Sequence, residues 1–196
     1  MNINKFTILI LVLVTLLTSS CQMPRTSRFS ENQVQLVQYS LKKADLPGSG
    51  WRVEVESWAP AYGGESYGIV YIRNKLVFIN HDVAIYSSED QAKQAYKEWE
   101  NDWFTIAKFQ AITSFSPSNA NDIFRYECEQ KESGAPFGRL CIYLQRKNNL
   151  ISFVKISLDE NSKDNLTFDE INNILGILDK RLNEVVLDAK PEGNTP

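Results

Sequence analysis

The chain has 196 residues, with 21 lysine and arginine against 24 aspartate and glutamate, a formal net charge of -3 and a single histidine. So mildly acidic a chain has no general attraction to nucleic acid or to anionic lipid. Its 4 Trp, 8 Tyr and 10 Phe argue against global disorder, and its length suits one domain with a sizeable core.

The first element is apolar. Residues 6–17 follow Lys5 without a charge and lead into Leu17-Thr18-Ser19-Ser20-Cys21, the layout of a secretory signal. About 12 helical residues at about 1.5 Å each reach only about 18 Å, short of a hydrocarbon core of about 30 Å, so a removable signal is expected in place of a membrane span. The segment resembles a bacterial lipoprotein signal peptide, whose lipobox sets a cysteine directly after small and aliphatic residues. Thr18 stands where leucine is usual. The resemblance covers residues 1–21 and implies a diacylglycerol on the Cys21 sulfur, cleavage between Ser20 and Cys21, and membrane lipid as a partner. Gln22 follows, not the aspartate that commonly retains lipoproteins at an inner membrane. The implied address is the outer face of a cytoplasmic membrane or, in a two-membrane cell, the outer membrane. An ordinary secretory signal with a chance cysteine at its end is the alternative. The organisation expected is a signal over 1–20, a lipidated N-terminus and tether over 21–30, one domain over 31–187 and a disordered tail over 188–196. The nine residues of the tether span at most about 32 Å, which keeps the domain close to lipid.

Ser30 and Gln33 form a capping box for a helix to about Lys43, with Val34, Val37 and Leu41 on one face. The cluster Leu46-Pro47-Gly48-Ser49-Gly50 ends it. Three strand signals follow, over 51–56, 66–73 and 76–86, the last two separated by Asn74-Lys75. A helix of about 20 residues capped by Ser87 or Ser88 carries Ala92, Ala95, Tyr96, Trp99, Trp103, Ile106 and Ala107 at spacings of three and four. Strands return over 111–115, 123–130, 140–146 and 150–158. Thr167 and Glu170 then cap a helix to about Val186 with a stripe of Ile171, Ile174, Leu175, Leu178, Leu182 and Val185.

With Cys21 assigned to the anchor, Cys128 and Cys141 form an even pair in an exported domain and are expected to be disulfide-bonded. Facing each other across a hairpin they place Tyr126 opposite Tyr143, and closing a loop of about 13 residues contributes about 3 kcal/mol. A three-residue turn at Lys147-Asn148-Asn149 would pair Ile142 with Val154 and Leu140 with Ile156. Apolar residues then fall on both faces of the sheet, so both are expected to be covered. The fold class expected is α+β, a mostly antiparallel sheet of six to seven strands with a long central helix and a C-terminal helix packed on it. This order is similar in layout to PsbP and Mog1-type domains and to the extracellular sensor domain of PknH-like kinases. No motif in the sequence specifies either group.

Chemistry is sparse. Gly64-Glu65-Ser66-Tyr67-Gly68 matches the Gly-x-Ser-x-Gly elbow of hydrolases, yet the segment after it reads as a strand, where that motif needs a helix. His81, the one imidazole, neighbours Asp82 in a strand that sends the two to opposite faces. A structural histidine is the expectation. No metal site and no cofactor are expected: two thiols without further ligands do not make a zinc site, and Asp159, Glu160 and Asp164 hold only fragments of a calcium loop. The segment from Trp58 to Tyr67 sets Trp58, Tyr62 and Tyr67 among Pro and Gly and is the candidate ligand-contact loop, with Phe137 raising the same question. The expectation is a non-enzymatic, lipid-anchored domain that binds a protein or a small molecule. A serine hydrolase using Ser66 and an envelope assembly protein are the alternatives.

Overall fold

A three-stranded and a four-stranded meander, joined through their last strands, build the sheet. The structure, a computed structural model, describes residues 31–75, 77–105, 110–112, 114–118, 123–130, 138–158 and 166–188, all within one unit. In chain order they are α1 (Glu31–Tyr39), a 3-10 turn (Lys43–Asp45), β1 (Arg52–Ala61), β2 (Gly64–Arg73), β3 (Val77–Ile85), α2 (Glu89–Phe104), β4 (Gln110–Ala111), β5 (Ile123–Gln130), β6 (Arg139–Lys147), β7 (Leu150–Leu158) and α3 (Phe168–Asp188). The strands form one sheet in the order β1-β2-β3-β7-β6-β5-β4, antiparallel at every pairing, so β3 and β7 lie side by side at its centre. The α+β class is as expected.

Both faces are covered. On one, Leu36 and Tyr39 of α1 and Ile171, Ile174, Leu175, Leu178 and Leu182 of α3 pack over Tyr67, Ile69, Tyr71, Val83, Tyr143, Val154 and Ile156. On the other, Ala92, Ala95, Tyr96, Trp99 and Phe104 of α2 pack over Ala84, Ile142, Leu144, Ile151 and Phe153. The Phe153 ring lies 4.8 Å from Trp99 and 5.0 Å from Trp103. Caps set the helix starts. Ser88 Oγ accepts from Gln91 N at 3.2 Å, and Thr167 and Glu170 exchange side-chain and backbone bonds at 3.2 and 2.8 Å.

Four expectations are corrected. The buried face of α1 is Leu36 and Tyr39, while Val34 and Val37 are exposed, because the helix stops at Tyr39 and Leu41 enters the core from extended chain. The helix expected to reach Ala107 ends at Phe104; Ile106 and Ala107 lie outside the described residues. The strand expected over 111–115 shrinks to Gln110–Ala111. The last hairpin turns on two residues, Asn148 and Asn149, pairing Lys147 with Leu150, Ile142 with Lys155 and Leu140 with Ser157. That one-residue slip moves Val154 and Ile156 to the face of Tyr143 and leaves Phe153 and Ile151 with α2, since side chains alternate along a strand. The first late hairpin has the expected register: Cys128 faces Cys141, with S–S 2.05 Å, and Tyr126 faces Tyr143.

Candidate functional site

The aromatic trio singled out from the sequence does not form a loop. β1 runs to Ala61, Tyr62 and Gly63 make a two-residue turn with φ 49° and 83°, and β2 starts at Gly64. Positive φ at both positions suits the twist of a tight hairpin, and Gly63 takes it without strain. Pro60 fits because β1 is the edge strand, where a missing donor is tolerated. Alternation then parts the trio. Tyr67 is buried on the α1 face with the half-exposed Trp58 ring 4.7 Å away. Tyr62 turns to the α2 face, edge-on to Trp99 at 5.1 Å, and its Oη donates to Asp102 at 2.5 Å. Burial and the Asp102 carboxylate push the Tyr62 hydroxyl well above its ordinary pKa, so it stays a donor. Trp58 still borders a small cleft of about 290 Å³ with Gln33, Pro60, Glu65 and Ser66. Phe137 and the acidic residues 159, 160 and 164 lie outside the described residues, as does Cys21.

Ser66 and His81 are held apart. Ser66 lies in mid-strand and its Oγ donates to the Ala59 carbonyl at 2.7 Å. It pairs with Ala84 and His81 pairs with Ile69, which puts the two side chains on opposite faces of the sheet. Packing accounts for both glycines of the motif. A Cβ at Gly64 would stand 2.6 Å from the Tyr86 ring, and one at Gly68 would collide with the Asp82 carboxylate. His81 is 1% exposed; its Nδ1 accepts from Leu41 N at 2.9 Å and its Nε2 lies 3.0 Å from Ser152 Oγ. Leu41 N–H is freed by the end of α1, and the imidazole satisfies it. Burial lowers the His81 pKa to about 3, Arg181 adding to the effect and Asp45 opposing it. Neither residue is arranged as a nucleophile or a base.

Larger cavities open elsewhere. One of about 460 Å³ lies beside α3, lined by Phe115, Ser118, Gly176 and Asp179. Its carboxylates are already engaged: Asp179 accepts from Ser118 N at 2.9 Å, Ser118 Oγ at 2.6 Å and Gln145 Nε2 at 2.9 Å, and Glu184 pairs with Lys180 at 3.7 Å. The other, of about 470 Å³, lies between α2 and the ends of β5 and β6. Lys93, Tyr96, Lys97 and Glu100 line it at helical spacing, and Ile123, Phe124, Arg125 and Arg146 complete it. Ile123 faces Arg146 across the β5–β6 ladder. The lining has four cations and one carboxylate, together with exposed aliphatic surface at Ile123.

The cations are not equally committed. Arg125 is spent on Glu127 at 2.7 Å and Glu100 at 3.2 Å, with its guanidinium 4.3 Å above the Phe104 ring. Lys93 is held by Asp90 at 3.1 Å and Glu89 at 3.3 Å. Arg146 is buried, yet its Nη1 meets only the Asn148 carbonyl at 3.1 Å and the exposed Glu89 at 3.4 Å, and its Nε has no partner. Reasoning from the sequence missed this cleft. Its one visible signal is a charged residue at position 146, two beyond Leu144 on an otherwise apolar strand parity. Among the described residues no group of three or more His, Cys, Asp or Glu converges, and no helix is long and apolar enough to cross a membrane.

The chain matches no family model and no curated protein. Among solved structures, the extracellular domain of PknH from Mycobacterium tuberculosis resembles it with a TM-score of 0.51 at 12% identity, over 76% of this chain and 96% of that one. At this identity the likeness is one of fold, and it agrees with the layout expected of PknH-type sensor domains.

Proposed function

We propose that the protein is a lipid-anchored extracytoplasmic domain without catalytic activity, which holds a small ligand in the cleft between α2, β5 and β6. The cleft carries the binding half of the proposal: a cavity of about 470 Å³ falls in the size range of small-molecule sites and has apolar surface beside uncommitted polar groups. Ser66 and His81, by contrast, are consumed by structural hydrogen bonds. The address is supported by the lipobox resemblance at Leu17 to Cys21, by a disulfide of the kind that persists in oxidising compartments, and by a fold shared with a domain named as extracellular.

Membrane fractionation and intact mass test the anchor. Wild-type protein partitions into membranes with the added mass of acyl chains, and Cys21→Ser loses both; unchanged mass and partition in the variant refute the anchor. A fluorinated-fragment screen by NMR tests the cleft, with hits expected to shift Tyr96, Lys97 and Ile123. If every hit maps elsewhere, the cleft is not the site. The envelope-assembly reading is favoured by one observation, the exposure of edge strand β1 along nearly its whole length with Val53, Val55 and Trp58 outward. Crosslinking from position 55 in cells that recovers one stoichiometric protein partner would support that reading instead.

A further inference from the structure

We infer that the cleft between α2, β5 and β6 receives an amphiphilic anion: a carboxylate or phosphate head seated on Nη2 of the Arg146 guanidinium, and an aliphatic body lying against Ile123 and the Tyr96 ring. This names the ligand chemistry of the site proposed above and rests on that proposal.

Arg146 carries the inference. It stands on the α2 side of β6, beyond Ile142 and Leu144 on the same parity, and its side chain is only 7% exposed. A buried charge is normally met by a close partner and by hydrogen bonds to every donor. Here the carboxylate nearest to it, Glu89, is itself half exposed, stands at 3.4 Å and is shared with Lys93 at 3.3 Å. Nη1 is occupied; Nε is an orphan with no accessible surface, and Nη2 makes no hydrogen bond among the described residues. Nη2 is therefore the donor that an oxygen of a carboxylate or phosphate in the cleft can reach. A buried cation whose nearest carboxylate is distant and half exposed favours an anion from outside the chain.

The neighbours choose among acceptors. Lys97, one turn along from Lys93, has no ion pair and adds a second free cation at the rim. Tyr96 lines the same wall with its hydroxyl unpartnered, and burial with the Glu100 charge keeps that hydroxyl protonated and able to donate. Cationic and metal ligands meet the uncommitted Lys97 and Arg146 and are disfavoured. Ile123 is 47% exposed at the mouth, an aliphatic surface that a bare inorganic anion would leave wet. The same head chemistry occurs in a free fatty acid or alkyl phosphate and in the headgroup of an anionic lipid.

The test uses the full chain carrying Cys21→Ser, free of its own acyl groups, titrated with octanoate, octyl phosphate, octylamine and octanol below their aggregation limits. Calorimetry reads affinity and amide shifts read location. Octanoate and octyl phosphate are expected to saturate with shifts at Tyr96, Lys97 and Ile123. Arg146→Lys, which keeps the charge and loses Nη2, is expected to weaken both by about tenfold or more, and the exposed Lys97→Glu by a similar factor without affecting folding. Sedimentation with phosphatidylglycerol vesicles separates the sources: binding to vesicles without binding to the soluble anions assigns a lipid headgroup, and the converse assigns a free anion. Equal binding of octanol or octylamine in the cleft overturns the anion assignment while leaving the cleft a ligand site. The absence of any saturable shift in the cleft together with no binding to the vesicles overturns both.

Discussion

Acidification weakens this domain through His81. The Leu41 N–H donates to Nδ1 at 2.9 Å, so the ring proton belongs on Nε2, where Ser152 Oγ accepts it at 3.0 Å. A second proton would have to enter at Nδ1, against that N–H, in a position that is 1% exposed. Burial, aided by Arg181, therefore depresses the folded pKa from 6.5 to about 3. The unfolded chain takes up the proton once the pH falls through about 6.5, and the folded chain does so only near the lower value. Between them the unfolded state binds more protons, and stability falls by about 1.4 kcal/mol per pH unit. From pH 7 to pH 4.5 that is about 3 kcal/mol, a large share of the roughly 5–15 kcal/mol typical of a domain. Urea unfolding followed by tryptophan fluorescence at the two pH values measures it, with His81→Asn as the reference, because asparagine keeps an acceptor and does not titrate. Carboxylate contributions common to both proteins cancel. The stability advantage of wild type over the variant is expected to shrink, or reverse, by about 3 kcal/mol on acidification. An advantage equal at both pH values would refute a buried, neutral histidine.

Phe153→Ala removes the ring on which Trp99 and Trp103 rest and is expected to cost about 3–5 kcal/mol, read as a lower urea midpoint with an unchanged slope. Arg181 clasps Asp45 bidentately at 2.6 and 2.7 Å and also reaches the Ser40 carbonyl, tying α3 to the chain leaving α1. Arg181→Met alone is expected to cost about 3–5 kcal/mol and the double variant with Asp45→Asn distinctly less; equal losses would show that the stranded carboxylate is not the cause. Reduction of Cys128–Cys141 is expected to lower stability by about 3 kcal/mol, with neither thiol alkylating in the native protein before reductant is added. Ser66→Ala is expected to cost about 1 kcal/mol from the lost bond to Ala59, and a fluorophosphonate probe is expected to leave Ser66 unlabelled in wild type.

How much could be read in advance depended on whether a local constraint selected among patterns. Cys128 and Cys141 fixed the register of their hairpin because a disulfide requires the two Cβ atoms to face each other. The neighbouring hairpin had no such pin: Leu150, Ile151, Phe153, Val154 and Ile156 place apolar groups on both parities of β7, so either register buries a hydrophobic face. The same degeneracy misled at α1, where Val34 with Val37 and Leu36 with Tyr39 each satisfy helical spacing. The choice fell to where the helix ends, a matter settled by an imidazole 40 residues away. At the hairpin from Trp58 to Tyr67, two glycines and a proline masked a regular pair of strands whose glycines answer to Tyr86 and Asp82. The cleft was invisible because Tyr96 and Arg146 become neighbours only once β6 and α2 are packed. Periodicity had already assigned Tyr96 to the core stripe.

The side-by-side placement of β3 and β7 governs the order of events as the chain folds. The first meander can form from residues 52–85 alone, but its inner strand lacks its second neighbour until residues 150–158 arrive, since Phe78 pairs with Ser157 and Ile85 with Leu150. Pairings of such long sequence separation are slow to close, and until then both meanders expose an apolar inner edge. A chain cut short after β6 therefore leaves the lone meander with β3 as a bare edge open to association. Folding of this domain completes from its C-terminal half, which ties its kinetics to delivery of the whole polypeptide.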